Sequence, residues 1–182
     1  MLAGDVGREL DRDGWIRVLL DLDTACVQRD LDEITLLVIG GAAMALAHGD
    51  RSTTDLDVLN EHLPQPYRQA AEAVAEIHGL RADWLNDGGK GFAPTLISSE
   101  PHHIVFAGTL LQVVTPPATY LLATKLRAAR EQDLIDVHKL MRLTRRTSES
   151  DLLGLLQLAY PGNQLSVRMQ YFAASAAAAY RS

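Results

Sequence analysis

Two short motifs in the first third of the chain carry residue types that can bind a metal–phosphate complex. The first is Gly40-Gly41, which follows the apolar run Ile34–Ile39 and precedes an alanine-rich segment. Glycines let a phosphate approach the backbone closely, and the amides at the start of a helix attract an anion. The second is Asp55-x-Asp57, whose spacing places both carboxylates on one face of a strand, where they can share divalent cations.

The two motifs together predict a chemistry that neither indicates alone. Magnesium ions held by Asp55 and Asp57 would align an attacking hydroxyl and stabilise a pyrophosphate leaving group, which is the two-metal route to nucleotidyl transfer. Taken separately, a Gly-Gly turn is more often structural, and an Asp-x-Asp pair is more often a solvated strand face. The order of the motifs and the Arg/Thr-rich segment 51–54 between them favour chemistry on an NTP.

The elements that must position these motifs follow from the spacing of apolar residues. Ile34–Ile39 has the continuous, β-branched pattern of a strand buried on both faces, whereas Asp55–Leu59 alternates charged and apolar residues, as a strand with one wet face does. The double glycine therefore joins a strand to a helix. Residues 83–101 are rich in Gly, Asn, Ser and Pro, which predicts a loop with a short strand at its start.

The remaining patterns predict helices and one hairpin, which turns at Gly108-Thr109. The predicted helices are 13–29, 42–48, 64–78, 118–130, 133–143, 150–160 and 164–180, and the hairpin strands are 104–107 and 110–114. We therefore expect an α/β (α+β) fold. It has a small mixed-sheet core over residues 1–115 and a C-terminal helical part over 116–182, packed on the core as one compact unit.

Composition limits the class of protein. The chain has 182 residues, of which 47% are hydrophobic and 22% charged, as in soluble globular domains. Its net charge of -6 argues against a nucleic-acid coat protein held by bulk positive charge. Cys26 is the single cysteine, which excludes an internal disulfide and a cysteine-rich zinc site. No apolar stretch is long enough to span a bilayer and no signal peptide is visible, so we expect a cytoplasmic protein without a membrane partner.

The chain resembles the DNA-polymerase-β-like nucleotidyltransferase superfamily, and within it the DUF6036 and AbiE-type branch. The motifs run in family order across residues 36–140, which is most of the chain. They are Val38-Ile39-Gly40-Gly41-Ala42-Ala43, Arg51-x-Thr53-x-Asp55-x-Asp57, Asp83–Asp87 followed by Lys90-Gly91-Phe92, and Leu121–Arg130 with Asp133-x-x-Asp136.

The resemblance implies a role for each matching residue. Asp55 and Asp57 would bind Mg²⁺, and Lys125 would contact phosphate while an aspartate of the Asp133/Asp136 pair completes the site. The catalytic residues would then be Asp55, Asp57, Lys125 and Asp136. Substrate binding would fall to Gly40, Gly41, Arg51, a hydroxyl of Thr53 or Thr54, Arg130 and Asp133.

The resemblance also implies a function. Members of this branch include toxins of toxin–antitoxin pairs, some of which add nucleotides to the 3′ end of tRNA. The chain is therefore expected to transfer NMP from an NTP to RNA, with tRNA as the acceptor and an antitoxin protein as a partner. A basic segment, 125–146, has seven basic and three acidic residues, which fits a polyanionic substrate or, equally, a solvated helix face.

The sequence departs from the family at two places. Most polymerase-β-like enzymes carry a third carboxylate on a later strand, but 104–107 and 110–114 contain none, and Gln132 stands where relatives carry a basic residue. Lys125 and Asp136 would share a face only if one helix ran through both. Alternatively, Asp133 is a helix N-cap with Asp136 at the third position of the helix.

Two other functions remain open at this point. The acceptor could be a small molecule such as an antibiotic, and a cationic acceptor of that kind would want an acidic cleft. The chain could also be a non-catalytic module that binds a nucleotide or a protein partner, in which case the carboxylates would be dispensable.

Overall fold

The structure, a computed structural model, describes residues 7–49, 51–60, 62–95 and 100–181. By its internal contacts the chain divides into two compact units, one of residues 1–91 and 102–116, the other of residues 92–101 and 117–182. The expected mixed α/β fold, with helices following the sheet, is confirmed. Segment 92–101, predicted as loop within the core, belongs to the helical unit.

The first unit is built on a mixed sheet whose strand order is β3-β2-β1-β5-β4. Of its helices, α1 contacts β5, α2 contacts β1, β2 and β4, and α1 also contacts α2 and α3. The elements are α1 Arg12–Gln28, β1 Ile34–Ile39, α2 Gly40–His48, β2 Leu56–Val58, α3 Gln65–His78, β3 Leu85–Asn86, β4 His103–Ala107 and β5 Leu111–Thr115. A short 3₁₀ turn, Gly88–Phe92, follows β3.

Strand pairing places β1 inside the sheet. β1 pairs antiparallel with β2, with Ile39 opposite Asp57, and parallel with β5. The expected burial on both faces holds only at its end, where Val38 and Ile39 are buried, because Thr35 is exposed and Leu37 is half-buried. The short strand expected at the start of the 83–101 loop is also found. It is β3, which runs parallel to β2 with Asn86 opposite Asp57.

The hairpin turn lies one residue further along than predicted. The Gly108 amide donates to the Leu111 carbonyl at 2.8 Å, so the turn residues are Thr109 and Leu110. The carboxylate of Asp23, on α1, accepts hydrogen bonds from the amides of Thr109, Leu110 and Leu111, each at 2.8 Å. The turn is thus fixed by a carboxylate that the sequence pattern gave no reason to place there.

Two tryptophans anchor the helices of this unit. Trp15 and Trp84 are fully buried and stacked, with ring centroids 5.6 Å apart. The Trp84 indole donates to the Ala71 carbonyl at 2.9 Å, which ties β3 to α3. Cys26 is buried among core residues, and burial raises the pKa of its thiol to about 11.

The second unit contains α4 Ala118–Ala128, α5 Leu134–Thr144, α6 Glu149–Ala159 and α7 Val167–Arg181. Each change of direction has a local cause. Ala129 ends α4 in the left-handed conformation, Ser148 and Asp151 form a capping box at the start of α6, and Gly162 supplies a positive φ after it. Among the described residues, no helix is long and apolar enough to cross a membrane.

Asp23→Asn should destabilise the protein by about 1–3 kcal/mol at neutral pH, because three amide bonds to a charged acceptor become weaker. Burial alone would raise the pKa of Asp23, but the three amide hydrogen bonds outweigh it and hold that pKa below its usual range. A depressed folded pKa contributes stability that is complete above the unfolded pKa of about 3.9 and is lost as pH falls through the folded pKa.

Urea unfolding of both proteins from pH 7 downward measures this difference. It should shrink as the pH falls below about 3.9 and through the folded pKa. Glu72→Gln, on the exposed face of α3, removes the same charge and should leave stability nearly unchanged. A deficit of Asp23→Asn that stays constant down to the lowest pH would contradict the charge-based account.

Candidate functional site

The turn that opens α2 is built around Asp57. Gly40 has a φ of +71°, which favours glycine, and a Cβ on it would stand 3.0 Å from Asp57 Oδ2. A Cβ on Gly41 would stand 2.9 Å from Thr53 Oγ1. The α-helix begins at Gly40, two residues earlier than predicted. The first-turn amides, the predicted glycines and Asp57 therefore meet at the carboxyl end of β1.

The two aspartates belong to the same edge of the sheet. Leu56 and Val58 are fully buried, so the alternation of β2 directs Asp55 and Asp57 away from the core, as the sequence predicted. Asp55 is exposed and Asp57 is half-buried. The Thr53 hydroxyl donates to Asp55 Oδ1 at 2.9 Å, so this threonine, assigned from the resemblance to the triphosphate, here orients a carboxylate.

The other residues of the 51–54 segment lie beside this edge. The Arg51 Nε stands 3.5 Å from the position of a Cβ on Gly41, which brings its guanidinium next to the first turn of α2. Thr54 is half-buried and directly precedes Asp55 in the sequence. Of the residues predicted for the first unit, the structure thus gathers Gly40, Gly41, Arg51, Thr53, Asp55 and Asp57.

A second glycine turn approaches Asp57 from the other side. Asn86 lies opposite Asp57 in the β2–β3 register, and its side-chain oxygen accepts the Gly88 amide at 2.8 Å. A Cβ on Gly89 would stand 2.5 Å from Ile39 Cδ1 and 3.6 Å from Asp57 Cβ. Asp57 is therefore enclosed between two glycine turns, of which the sequence predicted only the first.

Asn86, Gly88 and Gly89 were not predicted as site residues. One feature of the sequence could have indicated them: Gly88-Gly89 closely follows β3, just as Gly40-Gly41 follows β1. The third carboxylate expected from the resemblance is absent from β4 and β5. These strands are not the neighbours of β2, which pairs with β1 and β3. The residue that β3 places opposite Asp57 is an amide, so no strand paired with β2 adds an acid within the described residues.

The donor set suits a hard divalent cation. Asp55 and Asp57 supply carboxylate oxygens, and the glycine at position 40 places no Cβ of its own against Asp57 Oδ2. Magnesium typically takes one or two protein carboxylates and completes its shell with phosphate oxygens and water. The described residues hold no group of three or more His, Cys, Asp or Glu suited to a metal, and a site of the magnesium type needs only the two.

The other predicted catalytic residues form a buried ion triad in the second unit. Lys125 Nζ lies 2.5 Å from Asp133 Oδ1 and 2.8 Å from Asp136 Oδ2. All three side chains are about 5% exposed. Lys125 and Asp136 do not share one helix, because α4 ends at Ala129 and the chain reverses before α5.

This geometry corrects one interpretation of Asp133. Although it occupies the N-cap position of α5, its side chain makes no capping hydrogen bond and instead accepts from Lys125. The basic segment 125–146 is also not exposed throughout, because its first cation, Lys125, is buried in the triad. Arg127 lies over the Tyr160 ring and Arg130 over the Phe92 ring, 4.7 and 5.7 Å from the centroids.

Lys125→Met should destabilise the second unit by about 3–5 kcal/mol, because it leaves two carboxylates buried without their cation. Thermal or urea unfolding measures the loss, with Arg142→Met, an exposed cation on α5, as the matched control. The triple variant Lys125→Met, Asp133→Asn, Asp136→Asn should recover part of the lost stability. A single variant as stable as the control would show that the triad contributes nothing to the fold.

Comparison with known proteins gives no independent assignment. No protein-family model matches the chain, and neither the curated proteins nor the solved structures contain a match. The function must therefore be argued from the site itself.

Proposed function

We propose that this protein is a Mg²⁺-dependent nucleotidyltransferase of the polymerase-β-like type. It transfers NMP from an NTP to a hydroxyl of an RNA acceptor, the tRNA 3′ end, and acts as the toxin of a toxin–antitoxin pair. The observation that carries the enzymatic part is the close approach of the Gly40-Gly41 turn to Asp57. The tRNA and antitoxin parts rest on the sequence resemblance.

The Gly40-Gly41 turn and Asp57 together meet two requirements of NTP chemistry, a phosphate site and a metal site. The first-turn amides of α2, a helix of nine residues, can donate to phosphate oxygens, and its dipole favours the negative charge. Asp57 stands against the same turn, and Asp55 lies two residues away on the same face of β2. A phosphate at the turn would therefore be within reach of a metal held by the aspartates.

The proposed reaction joins an acceptor hydroxyl to the α-phosphorus of the NTP. The hydroxyl oxygen bonds to phosphorus, the bond from phosphorus to the bridging oxygen breaks, and pyrophosphate leaves with the electron pair while the hydroxyl proton passes to solvent. Bound Mg²⁺ supplies charge neutralisation and alignment of the two oxygens. Asp55 and Asp57 hold the metal, Thr53 keeps Asp55 in place, and the bare backbone at Gly40 and Gly41 admits the phosphates.

A small-molecule acceptor is the second candidate, favoured by the charge of the first unit. Residues 1–91 and 102–116 contain eight Lys and Arg against seventeen Asp and Glu, a net charge of -9. A cationic antibiotic would be attracted to such a unit, whereas RNA would be repelled unless other cations compensate. The second unit, taken by itself, has nine basic and six acidic residues, a net charge of +3.

Asp57→Asn should abolish transfer, lowering the rate by at least about a hundredfold, because several kcal/mol of metal-dependent stabilisation are lost. The assay incubates the protein and Mg²⁺ with each α-labelled NTP in turn and with total RNA, an aminoglycoside or no acceptor. Glu72→Gln serves as the charge-matched control and should behave as wild type.

The product distinguishes the candidates. Label in a tRNA-sized band with wild type and not with Asp57→Asn would support RNA transfer and identify the nucleotide. Label on the aminoglycoside would support the second candidate. Absence of transfer to every acceptor, with intact nucleotide binding, would move the protein to the non-catalytic class.

A further inference from the structure

The turn after β3 presents a charged cluster beside the candidate site. Lys90 Nζ lies 2.7 Å from Asp87 Oδ2, and Arg68 Nη2 lies 3.5 Å from the same oxygen. Asp87 lies in sequence between Asn86, which is opposite Asp57 in the β2–β3 register, and Gly88, on which a Cβ would stand 3.9 Å from Asp57 Oδ1. The cluster of Arg68, Asp87 and Lys90 therefore belongs to the second glycine turn that encloses Asp57.

The two cations are held in place by different elements. Arg68 is on α3, and its Nε donates to the Leu63 carbonyl at 3.1 Å, which leaves the far end of the guanidinium for Asp87. Lys90 reaches the same carboxylate from within the 3₁₀ turn. The Lys90 hydrogen bond and, to a lesser extent, the Arg68 charge hold the pKa of Asp87 below its usual range.

The cluster is open to ligands. The side chains of Arg68, Lys90 and Asp87 are 35%, 38% and 34% exposed, so a solute can reach both cations without unfolding the turn. Two cations that converge on one carboxylate oxygen have the spacing and chemistry to hold an oxygen of a phosphate in its place. Asp87 then acts as a placeholder that keeps the cations oriented when no phosphate is present.

We propose that Arg68 and Lys90 bind the β- or γ-phosphate of the nucleotide. This inference rests on the proposed function, since it extends the phosphate site from the Gly40-Gly41 turn to the second glycine turn. A triphosphate bound in this way would reach from the first glycine turn to the second, and Asp55 and Asp57 would hold its metal. The arrangement gives the terminal phosphates cations within a unit whose net charge is -9.

Lys90→Gln should weaken binding of an uncleavable nucleotide about fivefold, as expected for one partly exposed charge-assisted hydrogen bond. Calorimetric titration with Mg²⁺ and the α,β-methylene analogues of the four NTPs first identifies the preferred base. The matching NMP, which lacks the terminal phosphates, should bind Lys90→Gln and wild type equally. Arg81→Gln is the control, because Arg81 also pairs with a carboxylate on the same unit, Asp83 at 2.9 Å, and its side chain is 50% exposed against 38% for Lys90.

Asp87→Asn separates phosphate binding from a purely structural salt bridge. Removal of the placeholder carboxylate frees the cations, so binding of the analogue should tighten or stay unchanged while Lys90→Gln weakens it. If Asp87→Asn weakens binding as much as Lys90→Gln does, the cluster only holds the turn and the inference is wrong. Wild-type affinity in Lys90→Gln would also overturn it.

The same titration keeps this inference distinct from the proposed function. Binding by wild type that is lost in Asp57→Asn but retained in Lys90→Gln would overturn the role of the cluster and leave the proposed enzyme standing. If wild type binds none of the four analogues with Mg²⁺, the proposed function fails and the cluster loses its ligand with it.

Discussion

The candidate site depends on the close approach of backbone to one carboxylate. Asp57 has Gly40 on one side and Gly89 on the other, and a Cβ on either would stand within 3.6 Å of the Asp57 side chain. Strand and turn geometry therefore constrain the position of the carboxylate. Sites held in this way are preorganised, because the supporting groups have few alternative positions.

The same constraint links elements that are distant in the sequence. Gly89 also packs against Ile39, which ends β1 and lies opposite Asp57 in the sheet. A larger residue at position 89 would push Ile39 and with it the start of α2. The two glycine turns and the central strand pair thus form one packed body, and Asp55, although exposed, is tied to it through the Thr53 hydroxyl.

In the second unit, a buried ion triad constrains how α4 and α5 pack against each other. Lys125, Asp133 and Asp136 are buried together, and each carries a desolvation cost that only its partners offset. The three groups meet only when α4 and α5 pair in the register that places Asp133 and Asp136 on either side of the lysine. The triad therefore acts against other registers of the helix pair, which apolar packing alone would discriminate less sharply.

Periodicity predicted the local elements well because each pattern reports its own environment. β1, the helices and the hairpin could be recognised from the residues within them. The Asp23 contact with the hairpin turn and the pairing of β3 with β2 join segments distant along the chain, which no local pattern records. The resemblance grouped Lys125 with Asp133 and Asp136, but it gave no indication that the three form a buried ion triad. The glycines at 40 and 41 were recognised because a strand and a helix flank them. Those at 88 and 89 follow a strand of only two residues, which gives no clear pattern.

The charges of the first unit act at two different ranges. At physiological salt a charge is screened over about 8 Å, so a bound nucleotide responds to the groups around Asp57 rather than to the net charge. Those groups alternate, with carboxylates at the centre, Arg51 beside the first glycine turn, and Arg68 and Lys90 at the second. Carboxylates alone would suit a cation, whereas this alternation would suit the metal and phosphates of the proposed nucleotide. Under the proposed function an acceptor would approach from solvent and meet the charge of a wider surface, so the local pattern would select the nucleotide and the wider charge the acceptor.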